Sequence, residues 1–93
     1  MIEIKKAVEE AFKYMNSLYE SLDDLSLEEV ELSEDEKYWL ITFGFNRLKK
    51  SNLAIQTLIG DNYERIYKVI KVRSDNGQAV SMKIRNPWII LKY

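Results

Sequence analysis

The fold is decided by Tyr63-Glu64-Arg65-Ile66-Tyr67-Lys68-Val69-Ile70-Lys71-Val72-Arg73-Ser74-Asp75-Asn76-Gly77-Gln78-Ala79-Val80-Ser81-Met82-Lys83-Ile84-Arg85. Two runs rich in β-branched and aromatic residues flank Asp75-Asn76-Gly77, the composition of a β-hairpin. Loop length decides which side chains share a face. A two-residue Asn76-Gly77 turn pairs Arg73 with Val80 and Lys71 with Met82, which mixes charged and apolar groups on both faces. A three-residue loop, Asp75 to Gly77 with Gly77 left-handed, pairs Val72 with Val80 and Ile70 with Met82. Tyr67, Lys71, Arg73, Lys83 and Arg85 then gather on the opposite face. That separation favours the three-residue register, and glycine tolerates the left-handed position. Lys68 is the exception. It falls on the apolar face opposite Ile84, either past the cover of the core or snorkelling to the sheet edge.

The same period appears upstream. Val30 and Leu32 alternate with Glu29 and Glu31, and Trp39, Ile41, Phe43 and Phe45 share one face of Tyr38–Phe45. Both runs have the period of a half-buried strand. A four-residue loop, Glu34 to Lys37, places Leu32 opposite Trp39 and Val30 opposite Ile41, so that the apolar residues share one side. Residues 3–21 have helical spacing instead, with Ile4, Val8, Ala11, Phe12, Met15, Leu18, Tyr19 and Leu22 as the apolar stripe. Lys5/Glu9, Lys6/Glu10 and Glu9/Lys13 are i,i+4 pairs on its flanks. The helix is expected to end between Ser21 and Asp24, where Ser and Asp compete for backbone hydrogen bonds.

Residues 46–62 read as a polar turn over Arg47 to Asn52 followed by an extended arm or loop. Asn86-Pro87 ends the last strand, because proline has no ladder donor. The apolar tail from Trp88 to Tyr93 is a further strand, a segment packed on the core, or an interface; if exposed, it implies a homodimer or partner contact. The expectation is one α+β domain over residues 1–93: an N-terminal amphipathic helix on an antiparallel sheet of about four strands, an α-β-β-β-β meander with one wet face.

The order helix, hairpin, hairpin, with Tyr67-Lys68-Val69-Ile70 leading into Asp75-Asn76-Gly77 and Val80-Ser81-Met82-Lys83-Ile84, resembles the small bacterial PepSY-like and cystatin-like α+β domains. The resemblance spans most of the chain at the level of topology. It implies a non-enzymatic module that binds or inhibits a protein. Gln78-Ala79-Val80-Ser81 is similar to the start of the cystatin inhibitory motif Gln-x-Val-x-Gly, but Met82 stands where its glycine belongs. Gln78 also directly follows a tight turn here, so the segment reads as a chance match.

Composition narrows the chemistry. The 93 residues include no Cys and no His. Thiol catalysis, Cys-based zinc sites, Ser-His-Asp triads and histidine acid–base work are therefore outside this chain's means. No catalytic residues, metal ligands or cofactor are assigned. Glu34-Asp35-Glu36 lacks the spacing of a calcium loop and reads as a charged turn. Glu64 with Asp61 or Glu28 has no spacing that marks a catalytic pair. Trp39, Phe43 and Phe45 could line a ligand pocket, but their alternation reads as core. The first residues carry Glu3, Glu9 and Glu10 where a signal peptide needs an apolar run. No window reaches the ~18 apolar residues of a membrane span. A cytoplasmic location without membrane association is the expectation.

The net charge of −1 conceals a segregation. Residues 1–36 hold three bases and twelve acids, net −9; residues 37–93 hold eleven bases and three acids, net +8. Glu28, Glu29, Glu31, Glu34, Asp35 and Glu36 form the acidic group. Lys71, Arg73, Lys83 and Arg85, with Tyr67 and with Lys49 and Lys50 nearby, form the basic one. Tyr67, Lys71, Arg73, Lys83, Arg85, Glu29 and Glu31 fall on one wet sheet face. In a sequential meander they form an acidic-to-basic gradient across it. Such a face suits an unidentified protein partner, in the manner of an immunity or antitoxin-like neutralising module. The alternative is a nucleic-acid-binding accessory protein using the basic part, although no RNP-like aromatic pair supports it. The bland reading is a solvated face whose lysines and arginines discourage edge pairing.

Overall fold

In the computed structural model, which describes residues 1–48 and 63–85, helix α1 spans Ile4–Leu18. Strands β1 (Asp23–Leu32), β2 (Tyr38–Leu48), β3 (Tyr63–Arg73) and β4 (Ala79–Ile84) follow it. The strands form one antiparallel sheet in the order β1-β2-β3-β4, the expected meander, and α1 packs on one face of it. Lys49, Lys50, the arm expected before residue 62, Asp61, and the Trp88–Tyr93 tail with its dimer contact lie outside the described residues.

The helix is held by packing. Glu3 at its N-cap makes no side-chain cap, no acid lies in the first turn and no base in the last. Without those terminal devices, a fifteen-residue helix depends on its buried face. That face is Ala7, Ala11 and Met15, set against Ile41, Phe43, Phe45, Ile70 and Val72. The stripe is rotated from the expected one. Ala7, absent from that stripe, is fully buried, whereas Ile4, Phe12 and Leu18 remain exposed. Two alanines at i,i+4 let the helix backbone sit close to the sheet. Phe12 and Tyr19 then lean on the core from the side, with ring centroids 6.5 Å from Phe43 and 5.3 Å from Phe45. The helix also stops at Leu18, before the expected Ser21–Asp24 region: Tyr19 is already extended, and its N–H bonds the Met15 carbonyl.

The first hairpin has the expected register, Leu32 opposite Trp39 and Val30 opposite Ile41. The Ser33 N–H closes its four-residue loop on the Tyr38 carbonyl at 2.9 Å. Ser33 Oγ donates to Asp35, and Asp35 in turn accepts from the Lys37 N–H. These bonds hold the Asp35 carboxyl below the usual carboxylate range, the Ser33 hydroxyl contributing most.

The second hairpin has Gly77 left-handed at φ +80°, as the turn chemistry requires. Its register is corrected near the turn. The Arg73 N–H bonds the Gln78 carbonyl, so the loop runs from Ser74 to Gly77, one residue longer than expected. Val72 faces Ala79 instead of Val80. Val80 is then the extra residue of a β-bulge, left 43% exposed, and Ile70 regains Met82 beyond it. Lys68 does face Ile84, between buried Phe43 and an Ile84 that is 74% exposed. It therefore sits at the border of the helix's cover.

The two turns lie at the same end of the sheet and are clipped together. The Ser74 N–H bonds the Lys37 carbonyl, and Ser74 Oγ donates to the Glu36 carbonyl at 2.6 Å. The same end receives the N-terminus of the helix. The Ile2 N–H bonds the Ser74 carbonyl, and Trp39 Nε1 donates to the Ile2 carbonyl.

Candidate functional site

The face of the sheet opposite α1 carries every candidate residue. Strand pairing arranges it in transverse rows: Glu31–Leu40–Lys71–Ser81, then Glu29–Thr42–Val69–Lys83, then Ser26–Gly44–Tyr67. The Arg85 N–H bonds the Tyr67 carbonyl, which brings Arg85 into the third row. All seven predicted residues therefore share this face or its rim, with Glu29 and Glu31 at one edge and Lys83 at the other.

The charges do not stay apart. Arg85 reaches back across the sheet to the Glu29 carboxylate and donates to Thr42 Oγ1 at 2.9 Å. It thereby covers Thr42, which is only 3% exposed on the face opposite α1. Arg73 turns to Asp75 in its own hairpin, making two bonds at 3.0 and 2.6 Å. The Arg73 hydrogen bond holds the Asp75 carboxyl below its usual range. Lys71 Nζ sits 4.7 Å from the centre of the Tyr38 ring, a cation–π contact. The acidic-to-basic gradient is thus replaced by cross-strand pairs that neutralise much of the face locally. Among the described residues, Lys83 and Glu31 have no ion-pair partner.

Sequence reasoning missed the hub of this face, Arg65. Its guanidinium donates to the Asp24 carbonyl at 2.7 Å, to Asn46 Oδ1 at 3.1 Å, to Ser26 Oγ, and to the Asp24 and Glu28 carboxylates at 3.3 Å each. Ser26 also donates to Glu28. The Ser26 hydroxyl, then Arg65, lower the Glu28 carboxyl below its usual range. Two β-bulges in β1 make this possible. One lies between Asp23 and Ser26, where Asp24 has φ +52°, and the other falls at Glu28. The second turns the consecutive residues Glu28 and Glu29 to the same face, where each meets an arginine. The available signal was that pair of adjacent acids, which strict alternation cannot place together.

Gly44 forms the floor beneath the hub. A Cβ there would lie 2.8 Å from Glu28 Oε2, 3.0 Å from the Tyr67 ring and 3.1 Å from Arg65 Nε. Glycine is what lets these three side chains lie flat on the strand. At the turn end, Glu36, Lys37, Tyr38, Arg73, Ser74 and Asp75 line a shallow cavity of about 430 Å³. Its most strongly charged groups, Arg73 and Asp75, satisfy each other.

Chemically, the face offers fixed charges and aromatic edges on rigid strands. Among the described residues no three acids converge as a metal site, and no helix is long and apolar enough to cross a membrane. Searches of protein-family profiles, of curated proteins and of solved structures each return no match.

Proposed function

We propose that the chain is a non-enzymatic protein-interaction module, of the regulatory kind that neutralises a toxin or effector, and that it works in the cytoplasm. The observation that carries this reading is the sheet face opposite α1, which no helix covers among the described residues. It is held by interstrand ion pairs, with Tyr67, Lys71, Lys83 and Glu31 displayed among them. Fixed charges of both signs favour a protein surface with a complementary pattern over a uniformly anionic polymer. Intramolecular pairing of Arg73 and Arg85 also withdraws two of the four cations that a nucleic-acid reading would use.

Capture of partners from native lysate on the tagged chain, at low and high salt, tests this. A stoichiometric protein that weakens with salt, and that is lost with a Lys71→Glu/Lys83→Glu double substitution, is the expected result. Absence of any such protein at both salt concentrations overturns the reading. Steeply salt-dependent binding to a generic duplex, lost with the same substitutions, would replace it with the nucleic-acid alternative.

A further inference from the structure

Among the described residues β1 and β4 are the two edges of the sheet, and they are built as complements. In β4 the Arg85 N–H bonds inward to Tyr67, so the alternation of an antiparallel ladder turns Ser81, Lys83 and Arg85 towards β3. The N–H and C=O groups of Met82 and Ile84 therefore point away from the sheet. In β1 the Ser33 N–H bonds inward to Tyr38, so by the same alternation Val30 and Leu32 present their backbone groups outward. Each edge has one short regular stretch, bounded on one side by a bulge: residues 81–84 beyond Val80, and residues 29–32 beyond Glu28.

We propose that the chain associates with copies of itself by adding the β1 edge of one copy to the β4 edge of the next. The register that pairs the outward backbone groups sets Ile84 opposite Val30 and Met82 opposite Leu32 on the inner face. It also sets Lys83 opposite Glu31 on the outer face. These are the charged residues of the two regular edge stretches that have no ion-pair partner among the described residues. Oppositely charged residues directly across a strand pair attract, and like charges repel. Pairing β4 with a second β4 sets Lys83 opposite Lys83 or Arg85 when Ile84 faces Met82 or Ile84, and opposite Ser81 when Met82 faces Met82, so no two-fold register gains an ion pair. β1 and β4 run in opposite directions within one sheet, and the added strand continues the antiparallel pattern with both helices on the same side. Ile84, 74% exposed, and Leu27, 49% exposed, flank the joint on that inner side and lose water when it forms. The contact is head-to-tail, so it propagates into a ring or an open chain of copies.

The inference deepens the reading of the sheet as an interaction surface. It is tested on purified protein alone, so its failure leaves the lysate result standing. Sedimentation velocity of the full chain over a concentration series at low salt should show species growing beyond a dimer. Lys83→Glu and Glu31→Lys should each return the chain to a monomer while leaving its circular dichroism unchanged. The doubly exchanged K83E/E31K chain, and an equimolar mixture of the two single variants, should recover assembly. A wild-type chain that stays monomeric throughout overturns the proposal. So does a dimer indifferent to either exchange, or a double exchange that fails to recover.

Discussion

The two faces of the sheet are stabilised by different physics. The inner face excludes water by volume: Ile41, Ile70 and Val72 are fully buried beneath Ala7, Ala11 and Met15. The outer face carries no helix among the described residues and is closed by length of side chain, with Arg85 laid over Thr42 and Arg65 gathering β1, β2 and β3. The comparison teaches that a one-layer sheet can fix its open side with reach. Two arginines span strands that short side chains could not bridge.

The contrast breaks hardest from the inside. Ile70→Ala should destabilise the fold by about 2–5 kcal/mol in urea unfolding, since a fully buried isoleucine leaves a cavity under the helix. Gly44→Val probes the other face at its tightest point. Its side chain must displace Glu28, Tyr67 and Arg65 together, with an expected cost of about 1–3 kcal/mol by the same measurement. Arg65→Ala removes the hub but leaves half-exposed partners that water can reach, so the loss should be about 1 kcal/mol. A loss as large as that of Ile70→Ala would mean that the two faces do not differ in kind.

Acid separates the faces as well. The Glu28, Asp35 and Asp75 carboxyls are all held below their ordinary range in the folded chain. The unfolded state binds protons first, so their contribution is complete above the usual carboxylate range and is lost as pH falls through the lowered folded values. Stability followed by urea midpoint should decline below that range, and Glu28→Gln should flatten the decline by lowering the midpoint at neutral pH while leaving it little changed in acid. The smallest effect is expected at Lys83→Ala, within about 0.5 kcal/mol, because the side chain is exposed and has no ion-pair partner among the described residues.

How much of this was legible follows from the same contrast. Alternation in Trp39–Phe45 and helical spacing in Val8–Met15 reveal the inner face, because burial there repeats with a fixed period. The turn lengths follow from keeping that period consistent across a pairing. The bulges at Glu28 and Val80 interrupt it without a glycine or proline to mark them, and the adjacent acids Glu28 and Glu29 are the one local hint of the first. Ala7 fell outside the expected stripe because the bulkier Ile4, Val8 and Phe12 set its axis, although its small size is what brings helix and sheet together. The seven residues chosen for the outer face do lie together. Their pairing did not follow from the sequence, since Arg85 and Glu29 are 56 positions apart and are brought together by the strand order.

One contact sets the order of assembly. Ile2 and Trp39 clip the start of the helix to Ser74, in the turn that joins the last two strands. The helix is therefore made first and anchored last. During synthesis its apolar stripe has no finished surface to rest on until about the final hairpin has emerged, and loop closure over that span is the slow kind of contact to form. The lysine and glutamate ladder of Lys6, Glu10 and Lys13 lies on the helix's solvated flank. Those charges hydrate that flank whether or not the sheet is complete.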